Sequence, residues 1–322
     1  MDEGRRLQDR PVRARGALKL LLKAALGGAI FAYLLSKTPL EGLWDSILRA
    51  DPRFYAGALL LYLAGQVLSA YKWGLLAEPL GFRRSFKDLV AFYFIGMYFN
   101  LFMIGSIGGD IYRAGLLAGR EQSRMRAAYS IFAERFTGGM ALITFASLAL
   151  LSSFREVLPQ ALKVGVLVSC FVVWGVVIAM PKLVEVFPWM ERLASKVKLG
   201  DFTVYWSSPG RLLAVILISF LFQAMNILTV ALLGMGLGMK VAVGAYFFVV
   251  PVVDLVSVLP VSISGLGVRE GSYVFLFHLL GAETARGFAC SLLVLSVVVL
   301  SGLIGAVVYL FTDYPVVIRR RR

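Results

Sequence analysis

The chain has 322 residues, of which 59% are hydrophobic and 16% are charged, and its mean hydropathy is +0.80. This composition excludes an ordinary soluble domain, and repeated apolar runs of membrane-spanning length indicate a polytopic membrane protein. The net charge is +14. Because the basic residues cluster in short loops beside apolar runs, membrane orientation explains them, and no nucleic-acid partner is predicted.

Eight apolar runs predict eight helices in chain order, with no strand between them. They cover residues 17–36, 54–77, 89–104, 127–151, 161–180, 212–233, 245–259 and 287–311. Glycine-rich segments follow the third run and the seventh run. A polar stretch at 182–210 predicts a cytosolic loop. The fold class is therefore an all-α polytopic membrane protein.

The distribution of arginines predicts how the runs cross the membrane. The protein is expected in the cytoplasmic (inner) membrane. Both chain ends are basic, so both are expected on the cytosolic side. If 89–104 crossed fully, the segment with Arg113, Arg120, Arg124 and Arg126 would lie outside, against the positive-inside rule. A hairpin that enters, breaks and returns avoids this. The sequence favours six full spans plus two re-entrant helical hairpins, with eight simple spans as the alternative.

An internal repeat supports that arrangement. The stretch AFYFIGMYFNL at 91–101 aligns with AYFFVVPVVDL at 245–255 and pairs Asn100 with Asp254. The second copy has lost arginines, as expected if the two copies are inverted in the membrane, an architecture typical of transporters. The predicted divisions are a basic cytosolic tail at 1–16, a first membrane repeat at 17–153, a second at 154–312, and a basic cytosolic tail at 313–322.

The two glycine breaks are the candidate binding sites. Glycine releases the backbone from helical dihedrals, and a helix that starts there, with Asp110 or Ser264 as N-cap, presents N–H groups to an anion. Arginine suits phosphate geometry. The predicted lipid headgroup-binding residues are Arg113, Arg269, Gly108, Gly109, Ser264, Gly265 and Gly267. The alternative is that the glycines only allow close helix packing and the charges pair internally.

Further polar residues within the apolar runs require partners or water. Adjacent residues on a helix point about 100° apart, so Arg135 is expected to pair with Asp110 or Glu270, and Glu134 with Arg113 or Arg269. The alternative places Glu134 and Arg135 at the cytosolic interface. The predicted charge partners or proton-responsive residues are Asp110, Glu134, Arg135, Asp254 and Glu270. The predicted polar-cavity residues are Asn100, Gln66, Gln223 and Asn226. Their alternative role is to join helices by hydrogen bonds.

The motifs at these residues resemble the lysylphosphatidylglycerol synthase transmembrane-region family, also called the flippase-like domain. PVSISGLGVREG at 260–271 resembles its late motif. Asn100 with Gly108, Gly109, Asp110 and Arg113 resembles its early motif, and Glu134–Arg135 resembles the ER pair of the next helix. The resemblance covers nearly the whole chain. It implies movement of phospholipids between leaflets, while the soluble aminoacyltransferase domain of some members is expected to be absent.

The sequence therefore predicts a flippase or transporter for an anionic or aminoacylated phospholipid or a polyprenyl-phosphate lipid. It predicts no catalytic residue, no cofactor and no metal site, because no histidine pair or Cys–X–X–Cys motif occurs. One alternative is a membrane-embedded headgroup transferase that uses Asp254, Glu270 or Ser264. Another is a non-transporting partner of a lipid-modifying enzyme. Anionic membrane lipids are the expected partners, and a separate lipid-modifying enzyme or a homo-oligomer is compatible with the sequence.

Overall fold

The computed structural model describes residues 40–102, 107–119, 123–186, 204–205, 207–258, 267–312 and 314, together with six positions between 28 and 36. This part of the chain is helical and contains no strand. Its α-helices are α1 Leu40–Leu48, α2 Pro52–Ala77, α3 Phe86–Phe102, α4 Ile107–Ala118, α5 Arg124–Ala149, α6 Gln160–Val186, α7 Pro209–Gly236, α8 Val243–Val258, α9 Val268–Leu279 and α10 Thr284–Leu310.

Four of the helical segments are long and apolar enough to cross a membrane. They are Pro52–Leu80, Gln160–Ala179, Pro209–Gly236 and Thr284–Leu310. The polytopic all-α class is thereby confirmed. Of the two other predicted spans, α5 is 26 residues long but carries charges in its first half, and the run 17–36 lies largely outside the described residues.

Local sequence signals explain where several helices begin. The Asp51 side chain accepts a hydrogen bond from the Arg53 backbone N–H at 2.9 Å, and Pro52 opens α2. Helix α1 was not predicted, because it is short and lies between apolar runs. It buries Leu43 and exposes Trp44. Helix α6 continues to Val186, so the polar segment predicted to start at 182 begins within a helix.

Helices α2 and α7, which occupy equivalent places in the two predicted repeats, pack closely and run antiparallel. At one end, the Asp51 N–H donates to the Gly236 carbonyl at 3.0 Å. At the other end, Arg211 of α7 lies 3.5 Å from Glu78, which directly follows α2. Between them, Gly65 lies against Phe222. Because the small glycine lets the two backbones approach, this pair forms a continuous interface.

Two pairs of shorter helices fold back on themselves as hairpins. Helix α4 runs back along α3, which brings Gly109 to Asn100 and Arg113 to Gly96. Helix α9 runs back along α8, so that the rings of Tyr246 and Phe277 lie 5.4 Å apart. In both hairpins, the connection between the two helices lies wholly or almost wholly outside the described residues.

The packing partners of the two hairpins are exchanged between the halves. Helix α3 of the first half packs against α10, the last helix of the second half, where Gly302 lies against Leu101. Helix α8 of the second half packs against α5, the last long helix of the first half, where the rings of Phe145 and Phe247 lie 5.2 Å apart. The two halves therefore make reciprocal contacts.

Candidate functional site

Glu134 is the centre of a buried polar cluster built by four helices of the first half. One carboxylate oxygen, Oε2, accepts a hydrogen bond from Arg113 Nη2 at 2.6 Å. The other, Oε1, accepts from Ser69 Oγ at 2.9 Å and from Tyr93 Oη at 3.0 Å. Glu134 is only 4% exposed. A buried carboxylate requires such partners, so this cluster fixes α2, α3, α4 and α5 relative to one another.

Arg113 is enclosed by two aromatic rings. Its guanidinium carbon lies 4.2 Å from the ring centre of Trp73 and 4.1 Å from that of Tyr93. Cation–π contacts of this kind strengthen when the cation is desolvated. Asp110 lies 3.4 Å from the Nη1 atom, and Glu134 binds Nη2. The Arg113 guanidinium thus binds groups within the protein.

Arg135 is exposed to a much greater extent than its neighbour Glu134. Its Nε and Nη2 atoms donate to the two carboxylate oxygens of Asp110 at 3.1 Å and 3.0 Å, a forked pair. Although Asp110 binds its guanidinium, 51% of the Arg135 side chain remains accessible. The structure therefore contains the predicted pairs Glu134–Arg113 and Arg135–Asp110.

Lys72 also belongs to the cluster, although the sequence reasoning missed it. It is 1% exposed, and its Nζ atom donates to the Glu134 backbone carbonyl at 3.4 Å and lies 5.5 Å from the centre of the Phe222 ring. The available signal was a lysine inside an apolar run, which by itself indicates a functional position. Three cations, Lys72, Arg113 and Arg135, thus meet two carboxylates, which gives the cluster one excess positive charge.

At the first glycine break, the helix starts earlier than the sequence predicts. Gly108 and Gly109 lie inside α4, and Asp110 is the fourth residue of that helix, so Asp110 is not its N-cap. The physical reason is close approach, because a Cβ on Gly109 would collide with the Gly96 carbonyl. The Gly109 N–H donates to Asn100 Oδ1 at 2.7 Å. The connection at 103–106 lies outside the described residues.

At the second break, a buried glutamate holds the start of α9. Gly267 has φ = +81°, which glycine tolerates best, and occupies the N-cap position that the sequence assigns to Ser264. Its N–H donates to Glu270 Oε2 at 2.6 Å. Arg269 binds the other oxygen of Glu270 through Nε at 3.1 Å and Nη2 at 2.7 Å. Ser264 and Gly265 lie outside the described residues.

Asp254 lies on α8, near the C-terminal end of that helix. Its Oδ2 accepts a hydrogen bond from Asn226 Nδ2 at 3.0 Å. Tyr62, from the first predicted half, lies in the neighbourhood of Asp254 and Arg269 of the second half.

The amide side chains predicted to line a cavity mostly bond within the protein. Asn226 binds Asp254, and Asn100 binds the Gly109 backbone. Gln223 donates from Nε2 to the Gly138 carbonyl at 3.3 Å and so links α7 to α5. Gln66 is buried in α2. Gln223 thus has the helix-joining role that the sequence left as the alternative.

The comparisons with known proteins give one finding that places the chain. No curated protein matches it. Residues 20–312 match the sequence family described as the lysylphosphatidylglycerol synthase TM region. The match covers every helix named above, including those that carry the charge cluster and both hairpins. A membrane-embedded, lipid-related role follows from this family. The chain belongs to the lysylphosphatidylglycerol synthase TM-region family.

Proposed function

We propose that the protein moves an anionic lipid between the two leaflets of the cytoplasmic membrane. The cargo is an anionic or aminoacylated phospholipid or a polyprenyl-phosphate lipid, whose headgroup travels through the protein while the acyl chains stay in the bilayer. The observation that carries this proposal is Arg135, a half-accessible arginine at the edge of a cluster with excess positive charge.

The contacts separate two roles among the arginines. Arg113 is buried and bound by Glu134 and Asp110, so it positions the cluster. Arg135 can exchange its Asp110 partner for a phosphate oxygen, because its forked guanidinium fits either group. Arg269 offers a second contact, since its Nε and Nη2 atoms bind Glu270 while no described group accepts from Nη1.

The architecture supports a transport cycle based on inverted repeats. Equivalent helices α2 and α7 run antiparallel, and the hairpins exchange partners between the halves. Helices α3, α4, α8 and α9 have 12 to 17 residues. Each is therefore roughly 18–26 Å long, shorter than the hydrocarbon core of about 30 Å, which favours re-entrant hairpins. Rocking of one repeat against the other would alternate access to the headgroup.

Arg135→Gln should slow lipid movement about tenfold or more, because a hydrogen bond to a charged group contributes roughly 1.5–3 kcal/mol. The purified protein is placed in vesicles that contain phosphatidylglycerol with a fluorescent acyl chain. Dithionite, added outside, bleaches every labelled lipid that reaches the outer leaflet. The rate of bleaching beyond the initial outer-leaflet fraction reports the movement.

Matched variants separate this effect from loss of fold. Arg49→Gln removes an arginine directly after α1 whose side chain is 79% exposed, and it should keep the wild-type rate. Arg135→Lys keeps the charge but loses the fork, and an intermediate rate is expected. Labelled phosphatidylcholine tests selectivity for the anionic headgroup. A folded Arg135→Gln variant that moves phosphatidylglycerol at the wild-type rate would refute the role of Arg135.

A further inference from the structure

Asp254 is a carboxylate inside an apolar helix. Unlike Glu134 and Asp110, it does not bind an arginine directly among the described residues. It is half-buried on α8, and its Oδ2 accepts from the neutral amide of Asn226 at 3.0 Å. Arg269 acts on it electrostatically, but the Arg269 guanidinium binds Glu270 instead. By contrast, Glu134 and Asp110 each bind an arginine directly. Asp254 therefore differs in having a neutral hydrogen-bond donor.

The charged and titratable groups near Asp254 come from several helices. They are Tyr62 of α2, Arg269, Glu270 and Tyr273 of α9 and, through these tyrosines, Arg135 of α5 and Cys290 of α10. On α8 itself, Ser257 lies one turn away and buries its hydroxyl, for which no partner occurs among the described residues. Together, these groups determine the electrostatic environment of the Asp254 carboxylate.

The internal repeat makes this site specific to one half. The equivalent position in the first half is Asn100, whose Oδ1 accepts the Gly109 N–H at 2.7 Å and holds the first hairpin together. The side-chain amide of Asn100 cannot release a proton as a carboxyl group does, so the first hairpin has no titratable group at this position. At this pair of equivalent positions, only the second half therefore has a side chain that can bind and release a proton.

An anion near Arg269 would change the protonation of Asp254. A second negative charge favours the neutral form of a nearby carboxyl group. By thermodynamic reciprocity, a proton on Asp254 favours binding of the anion. A singly charged anion and a proton together carry no net charge, which lowers the electrostatic cost of crossing the bilayer.

We propose that Asp254 binds a proton together with the anionic lipid headgroup and releases it on the other side, so that a proton gradient drives lipid movement. This inference rests on the proposed function. A proton fits the geometry better than a metal ion, because Asn226 presents its N–H rather than its oxygen to Asp254. Within the described part of the chain, no group of three acidic, histidine or cysteine side chains stands together.

The first test detects the proton without any transport. Infrared difference spectra of the purified protein are recorded while the pH is lowered, and the C=O band of protonated carboxyl groups is followed. A pH-dependent band should be present in the wild type and in Asp45→Asn, which alters an exposed acid of α1. The high-frequency component of this band, which a carboxyl group shielded from water gives, should be missing in Asp254→Asn. Its persistence in Asp254→Asn overturns the proposal.

The second test measures coupling in the labelled phosphatidylglycerol vesicles, with the membrane potential clamped to zero. For one proton per singly charged lipid, an inward gradient of one pH unit should shift the lipid distribution toward the inner leaflet about tenfold. Asp45→Asn should behave in the same way, and Asp254→Asn should show the same distribution with and without the gradient. A shift produced by a sodium gradient instead overturns the proposal.

The two tests also separate this inference from the function on which it rests. If the wild type moves no lipid under any gradient, the proposed function fails, whatever the infrared band shows. If the wild type moves lipid but the proton gradient leaves the distribution unchanged, the function stands and the proton coupling fails.

Discussion

Glu134→Gln should lower the free energy of unfolding by about 3–5 kcal/mol, as expected when one partner of a buried ion pair is removed. The variant leaves Arg113 buried between Trp73 and Tyr93 with its shortest ion pair lost. The glutamine keeps the size of the side chain, so the loss reports charge rather than a cavity. Unfolding is followed in detergent by intrinsic tryptophan fluorescence.

Two further variants define this prediction. Asp45→Asn breaks an ion pair whose side chains are 79% and 55% exposed, and it should cost less than about 1 kcal/mol. Arg113→Met in the Glu134→Gln background removes the stranded charge and should recover part of the lost stability. A Glu134→Gln protein as stable as the wild type would show that the cluster does not hold the four helices together.

Gly109→Ala should disrupt the first hairpin and sharply reduce the yield of folded protein. The new Cβ would collide with the Gly96 carbonyl and with the side chain of Asn100. Backbone atoms on two packed helices cannot shift as a flexible side chain can, so α3 and α4 must separate. Overpacking of this kind typically costs about 1–3 kcal/mol and more where backbone must move. Size-exclusion chromatography and the unfolding midpoint measure the effect.

Gly139→Ala is the matched control for this substitution. Gly139 lies on α5, and no atom would come within 4 Å of an added Cβ. Alanine has the higher helix propensity, so this variant should be unchanged or more stable by up to about 1 kcal/mol. Equal loss of folded protein in both variants would contradict the close-approach explanation of Gly109.

The charge pairs could be predicted from the sequence because few oppositely charged residues lie within the apolar runs. Charges inside apolar runs need partners, and neighbouring positions on a helix point in different directions. Glu134 and Arg135 therefore had to bind different partners, and they bind Arg113 and Asp110. The same rule identifies Lys72, whose position in an apolar run received no weight. Its partner is a backbone carbonyl, which residue types cannot reveal.

The glycine segments were harder to interpret, since glycine serves both broken helices and tight packing. Gly108 and Gly109 lie within α4 and allow close packing, whereas Gly267 adopts a positive φ at a helix start. Arg113, counted as a loop charge, is buried in α4. The close approach of Gly96 explains Gly109 and Arg113, and sequence spacing does not encode that approach.

The location of the charge partners has a consequence for synthesis of the protein. The cluster from Ser69 to Arg135 lies wholly within the first half, and the Asn226–Asp254 bond lies wholly within the second. The groups of these two sets can therefore pair within their own half as it leaves the ribosome. The contacts of α2 with α7 can form only when both halves are present, and they combine small residues such as Gly65 with the Arg211–Glu78 ion pair at one end.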